Sequence, residues 1–280
     1  WYFVAPAALL IFALSFYPMI QAFIISLHMG IGNNLRFAGI RNYTRLLQDK
    51  EFLASVVNVL IFLAIEVPVQ LFMALILSAI LNQERLKAKG PFRTMVFLPC
   101  TTALVACAII FKTLFSLDGF FNFVLLKFQI IDTPISFLTH PYWAKAIIVI
   151  TCLWRWTGYN TIFYLAGLQN IDSSIYEAAR IDGASPFQQF FRITIPLLRP
   201  VILLTTIMST NGTMQMFDEP WNITQGGPGL ATETISIRIY KLSFVYNPQF
   251  GYAAAVSYTI LLMVAILSII QIKVSGDRAS

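Results

Sequence analysis

Two polar stretches interrupt apolar blocks of this sequence, and their residue types suit ligand binding rather than bond-breaking. The first reads Trp154-Arg155-Trp156-Thr157-Gly158-Tyr159-Asn160-Thr161. The second runs from Ser209 through Thr210, Asn211, Gly212, Thr213 and Gln215 to Met216. Ser209, Gly212, Thr213 and Met216 fall at i, i+3, i+4 and i+7, so they share one face of a helix. Aromatic rings stack on sugar faces, and hydroxyl and amide groups bond sugar hydroxyls. Polar groups inside a membrane span are expensive and are functional candidates by default. The same small and polar residues also serve close helix packing, which stays open as the alternative.

Little else in the chain could do chemistry. Cys100, Cys107 and Cys152 lie in apolar blocks and read as small buried hydrophobes. His28 and His140 stand alone in loops, without metal-ligand spacing. No catalytic or metal-ligating residue is therefore assigned. Glu66 and Arg155 lie within apolar stretches. They leave three readings open: a structural pair, a contact with the cargo, or a neutral Glu66, and Arg155 could also meet an anionic sugar.

The elements that position these residues follow from hydropathy. Of 280 residues, 58% are hydrophobic and only 11% charged, with a mean hydropathy of +0.72. About a quarter of a soluble domain is charged, so lipid is the solvent this chain expects. A spanning helix needs about 20 apolar residues. Six blocks qualify, at about residues 1–27, 52–81, 94–114, 144–168, 201–217 and 251–272, in one transmembrane domain covering residues 1–280. Backbone groups in lipid must be paired internally, which makes the blocks helices. Pro6, Pro18, Pro68 and Pro99 predict kinks or helix ends. The chain opens at Trp1 without Met, and a polar stretch is expected to precede it.

Loop charges do not set the orientation. With both termini cytoplasmic, the inner side holds Arg85, Lys87, Lys89, Arg93, Arg180, Arg192, Arg199, Lys273 and Arg278. The outer side holds Arg36, Arg41, Arg45, Lys50, Lys112, Lys127, Lys145, Arg238 and Lys241. The two sides tie, so the positive-inside rule does not decide. The surplus of +6 is not clustered with aromatics and is no nucleic-acid signal.

Between the fourth and fifth blocks, residues 169–199 form a polar stretch with helix punctuation. Ser174 with Glu177 reads as a capping box, and Gly183 as a left-handed helix end. Ser185, Pro186 and Gln188 restart a helix. The prediction is two short helices with a tight turn at Gly183. The first packs through Ile175, Ala178 and Ala179. The second presents Phe187, Phe190, Phe191 and Ile195. Glu177, Arg180 and Asp182 are left for polar contacts. An amphipathic linker lying on the membrane fits the same pattern.

Glu177-Ala178-Ala179, Gly183, Ile193 and Pro196 resemble the EAA loop of membrane subunits of binding-protein-dependent ABC importers. Ile195 stands where that pattern has Leu. Arg93 with Phe97-Leu98-Pro99, Gly39 with Asn42-Tyr43, and Gly226-Gly227-Pro228 with Thr232-Glu233-Thr234 resemble the carbohydrate branch, of the larger, maltose-importer type. The resemblance implies an all-α membrane protein, with six transmembrane helices and a cytoplasmic helix–turn–helix coupling loop, the type I importer permease fold. It implies that Glu177, Ala178, Ala179, Arg180, Asp182 and Gly183 couple to an ATPase subunit. By position, Thr157, Gly158, Thr161, Ser209, Thr213 and Met216 inherit a sugar-binding role. Trp156, Asn160 and Gln215 are expected to line the same cavity.

The chain has no Gly-x-x-x-x-Gly-Lys-Ser/Thr loop, so ATP and Mg would be bound by partner ATPase subunits and the chain itself would be non-catalytic. Expected partners are a second permease, two ATPase subunits and an external sugar-binding protein. Expected location is a bacterial or archaeal cytoplasmic membrane, with both termini inside. An ion-coupled secondary transporter is the rival reading, but no repeated broken helices around midplane charges are evident. A membrane-embedded enzyme is a weaker rival, since no cluster of His, Cys or paired carboxylates supports it.

Overall fold

A computed structural model of the chain describes residues 3–83 and 86–276. The expectations placed on Trp1, Arg85 and Arg278 lie outside the described residues. The described chain is almost all helix, as internal backbone pairing in lipid requires.

Helix α1, Ala5–Ser26, is one of three helices long and apolar enough to cross a membrane by themselves. It contains a π turn at Phe12–Phe16 just ahead of Pro18. The ring of Pro18 would clash with the carbonyl of Leu14 in a regular helix, and the wider turn relieves that clash. A short antiparallel hairpin follows, β1 at His28–Ile31 and β2 at Asn34–Phe37. Helix α2 spans Arg41–Leu46. Helix α3, Lys50–Asn82, is the second long apolar helix.

The block expected as the third span is broken. It forms α4, Lys89–Thr101, and α5, Leu104–Leu114, which meet at 96°. Thr102 and Ala103 are both extended, three and four residues after Pro99. Helix α6, Phe120–Lys127, precedes α7, Pro141–Gln169. Helix α7 has 29 residues but is too polar to meet the same hydropathy test, because Lys145, Arg155 and the Thr157–Asn160 stretch dilute it.

Helices α8, Ser173–Ile181, and α9, Pro186–Leu197, follow. Helix α9 turns through 71° into α10, Arg199–Met214. Helices α11, Asp218–Thr224, and α12, Ile235–Tyr240, lead to α13, Phe250–Gly276. Among the described residues, three helices are thus long and apolar enough to cross, or up to five elements if each bent pair is one span. The expected six reduce to that number because one block is broken, one bends into the loop before it, and α7 is polar.

The packing centre is α3. It lies along α7 and also meets α10. Val67, Leu71 and Leu75 of α3 pack with Tyr164 and Leu168 of α7. At the other end, Val59 packs with Tyr252, Ala255 and Val256 of α13. Helix α13 also covers α1. The end of α1 is also tied to α2, where Asn42 donates to the Ser26 carbonyl at 2.7 Å, but none of the α1 apolar window is buried.

The start of α3 is fastened by charge. Asp49 caps the helix, accepting from the backbone amides of Glu51 and Phe52 at 2.9 and 3.2 Å. It also accepts from the Tyr252 hydroxyl at 2.6 Å and from Arg238 at 3.2 Å. Arg238 in turn pairs with Glu51, and Lys241 lies 2.5 Å from the buried Glu233. Burial would raise the Asp49 carboxyl, but the bonds from Tyr252 and Phe52 and the charge of Arg238 hold it below its usual value. A depressed carboxylate contributes stability above its unfolded pKa, and that stability fades as pH falls through the folded one. Asp49→Ala should cost about 2 kcal/mol through loss of the cap and its buried bonds. The check is thermal unfolding of the detergent-solubilised protein at neutral pH, where Asp49→Asn should fall between the two.

Candidate functional site

A cavity of about 380 Å³ lies among α3, α7, α10 and α11. Helix α7 contributes Trp156, Tyr159 and Asn160, and α10 contributes Ser209, Gly212 and Thr213. Gln215 and Met216 continue its wall beyond α10. Helix α3 contributes Glu66 and Gln70, which sit one turn apart on one face. Asp218 and Glu219 close the end.

The polar groups are partly bonded to one another. Asn160 donates to the Ser209 hydroxyl at 3.1 Å, tying α7 to α10. Thr213 lies 3.4 Å from a carboxylate oxygen of Glu66. The Trp156 indole donates to Glu219 at 3.1 Å. Gln215 donates to Asn211 at 2.5 Å. Burial pushes the Glu219 carboxyl up, while its own backbone amide and the Trp156 indole pull it back only in part. Trp156 and Tyr159 meet edge to face, with ring centroids 6.1 Å apart. An aromatic surface flanked by amide, hydroxyl and carboxylate groups suits a polyhydroxylated ligand.

Six of the nine residues expected here therefore share the cavity: Trp156, Asn160, Ser209, Thr213, Gln215 and Met216. Thr157, Gly158 and Thr161 are placed elsewhere. Gly158 and Thr161 border a second, more apolar space beside Arg93 and Phe97 of α4. A Cβ on Gly158 would lie 1.9 Å from the carbonyl oxygen of Val96, so that glycine permits the crossing of α4 and α7. Thr161 donates to the carbonyl of Thr157. The buried Thr157 hydroxyl has no partner.

Arg155 and Glu66 form no ion pair among the described residues. The guanidinium of Arg155 donates to the Thr102 carbonyl at 2.7 Å and lies over the Trp156 ring at 5.1 Å. The break between α4 and α5 takes that carbonyl out of the helical ladder, and Arg155 satisfies it. Sequence reasoning missed Gln70 and Glu219 as lining residues. Gln70 lies four residues after Glu66 in an apolar helix, a spacing that could have flagged it. Glu219 lies just beyond the fifth apolar block, at about 201–217, where no span is expected. A ring that stacks on cargo contributes most, so Trp156→Ala should lower uptake about tenfold and Trp156→Phe distinctly less. Initial rates of cargo uptake into proteoliposomes, at matched amounts of assembled protein, decide this.

The stretch between α7 and α10 forms the expected helix–turn–helix. Asp172, not Ser174, caps α8, accepting from the Ser174 amide at 2.9 Å. A carboxylate at the cap position takes the role that the Ser174–Glu177 spacing suggested. Gly183 has φ +78°. The amide of Ala184 bonds the Ala179 carbonyl and that of Gly183 the Arg180 carbonyl, a Schellman ending. Ser185 and Gln188 form the expected reciprocal box. Tyr176 bonds Thr194 at 3.0 Å, holding the two helices together.

Glu177, Ala178, Arg180, Asp182 and Gly183 are exposed, and Ala179 is half-buried. Ile175 and Ala178 were expected to pack but face outward. Tyr176 and Ala179 take the inward positions instead. Ile181 at 86% and Phe187 at 71% are exposed apolar side chains on this small unit. A second π turn, Phe190–Thr194, precedes Pro196 as the first precedes Pro18.

Comparison with known proteins agrees with this geometry. Residues 47–274 match the family of binding-protein-dependent transport system inner membrane components. The chain belongs to that family, whose members are integral membrane permease subunits. It is similar to the lactose transport system permease protein LacF of Rhizobium radiobacter, 52% identical over 99% of this chain and 94% of the relative. It is also similar to the trehalose/maltose transport system permease protein MalF of Thermococcus litoralis, 35% identical over 93% of this chain and 88% of the relative. A crystal structure of a bacterial ABC transporter that imports the acidic polysaccharide alginate has the same fold. Its TM-score is 0.86 at 22% identity, over 97% of this chain and 93% of that one.

Proposed function

We propose that this chain lines the translocation pathway of an ATP-driven sugar importer, with the cavity of Trp156, Asn160, Ser209, Thr213, Gln215 and Met216 as its cargo site. The chain is a carbohydrate ABC importer permease, as its family and its relatives' names indicate. The observation that carries the cargo site is the cavity itself, where three aromatic rings, Trp156, Tyr159 and Phe217, and several hydrogen-bonding groups converge inside the helical bundle. The relative at 52% identity is named for lactose, so a neutral disaccharide of that size is the first cargo to test.

In this reading α7 is a sixth span, polar because it faces the pathway rather than lipid. Helices α8 and α9 lie in the cytoplasm, where Glu177, Ala178, Ala179, Arg180, Asp182 and Gly183 meet an ATPase subunit. Exposed Ile181 and Phe187 support this, since exposed apolar side chains on a polar projection mark contact surfaces. Both termini are then cytoplasmic. The working assembly contains this chain, a second permease, two ATPase subunits that bind ATP and Mg, and an external sugar-binding protein. The ATPase chains do the hydrolysis, and this chain holds the pathway.

The test is uptake of radiolabelled lactose into proteoliposomes holding the full assembly and its binding protein. Uptake should need ATP and should not respond to proton or sodium gradients. Uptake driven by an ion gradient without ATP would replace this reading with a secondary transporter.

A further inference from the structure

The charge of the cavity is one-sided. Glu66 is 3% exposed, Gln70 3% and Glu219 7%, and all three line the cavity. Asp218 joins them, and no lysine or arginine lines it among the described residues. The nearby cation, Arg155, is spent on the Thr102 carbonyl and the Trp156 ring. Glu66 meets Thr213, and Glu219 accepts from the Trp156 indole and from its own backbone amide. Gln70 has no hydrogen-bonding partner among the described residues, although it is almost wholly buried. Its amide is not among the sealed unpartnered polar atoms, so it keeps access to the cavity it lines, where a ligand can meet it.

We propose that Glu66, Gln70 and Glu219 form a hydroxyl-binding wall that admits uncharged saccharides and excludes those carrying carboxylate or sulfate groups. The inference rests on the cargo-site reading above and specifies its substrate class. Carboxylate oxygens accept from sugar hydroxyls, and the Gln70 amide both donates and accepts. Glu66 and Gln70 stand one turn apart and line the same cavity as Trp156 and Tyr159. A ring stacked on an aromatic side chain there has α3 hydrogen-bonding groups within the same space. An anionic cargo would bring a further negative charge into a space that holds acidic groups and offers no lining cation. A carboxylate or sulfate taken from water into that space finds no cation to pair with, and the penalty of an unpaired charge separates cargoes that shape alone does not.

The fold does not fix this choice. The alginate importer has the same fold and takes an acidic polysaccharide. Selection by charge must then reside in the lining side chains.

The test measures direct binding to the complete purified assembly in nanodiscs, without binding protein, by saturation-transfer NMR. The probes are lactose and its galacturonyl analogue, in which the galactose C6 alcohol is a carboxylate. The wild-type assembly should prefer lactose by about tenfold or more, the scale of one like-charge contact in a partly desolvated site. The near-isosteric double change Glu66→Gln and Glu219→Gln should bring the ratio within about threefold of one. Gln70→Ala should weaken lactose and leave the ratio alone.

Equal wild-type affinities, or an undiminished preference in the double variant, would overturn the proposal. If the double variant does not assemble, Glu219→Gln alone must reduce the preference, and its failure to do so counts the same way. Absence of ATP-dependent lactose uptake, measured separately on the wild type, would instead remove the underlying cargo reading.

Discussion

Replacement of Gly183 by valine should reduce cargo-stimulated ATP turnover and uptake by about a hundredfold while the assembly still forms, since on the coupling role proposed above a small turn change misplaces the surface that would meet the ATPase. Gly183 holds φ at +78°, a region that a β-branched residue enters only under strain. The left-handed conformation costs an ordinary residue about 1–2 kcal/mol, enough to reopen a surface turn. A Cβ at this position meets nothing within 4 Å, so the substitution acts through the backbone and not through a clash. The Schellman bonds from Ala184 and Gly183 then break, and Glu177 through Asp182 lose their fixed relation to Phe187. Gly183→Asn separates the causes, because asparagine tolerates the left-handed region. It should keep most of the coupling. Measurements of ATPase activity in proteoliposomes, with and without loaded binding protein, check both variants. Full stimulation in Gly183→Val would remove the coupling role from this loop.

Gly158→Ala should have the largest effect on stability. Its new Cβ would stand 1.9 Å from the Val96 carbonyl oxygen and 2.9 Å from the carbonyl carbon. Neither atom can swing aside, since both belong to the α4 backbone. The two helices must separate by more than an ångström, which opens the α4–α7 contact along its length. Overpacking of this kind costs about 3 kcal/mol. Gly90→Ala, also in α4, is the control, since nothing lies within 4 Å of a Cβ there. Thermal unfolding in detergent should show a clear drop for Gly158→Ala and little change for Gly90→Ala. A melting temperature unaltered at Gly158 would mean that α4 and α7 do not cross as closely as described.

Much of the helical layout was legible because long apolar runs have one solution in lipid. The boundaries of α3 and α13 fall within a few residues of the apolar blocks. Pro99 marks a kink or helix end in the sequence, and the break falls just after it, at Thr102; the exact place and the 96° angle were not legible. The loop between α7 and α10 was readable from Gly183, Ser185 and Gln188, each of which has a single local task. Ser174 misled because Asp172, two residues earlier, is a better acceptor at the same helix end.

The cavity was half legible. Spacing on α10 placed Ser209, Gly212, Thr213 and Met216 on one face, and all four line it. The α7 stretch gave no such filter. Small and polar residues there face both the cavity and α4, and periodicity alone cannot say which. The contribution of α3 and the arrival of Glu219 depend on how distant elements meet, which no local pattern encodes.

The corner between α9 and α10 has a mechanical meaning. A single residue, Leu198, joins the two helices across their 71° angle, and it is 1% exposed. It seats against Gly167 of α7, whose missing side chain leaves room for it. A pinned corner of this kind is a bell crank. Where the 71° angle is held, a push at the exposed end of α9 turns α10 about Leu198, and Ser209 and Thr213 ride on the far arm. Motion at the loop and reshaping of the cavity wall would then be one movement.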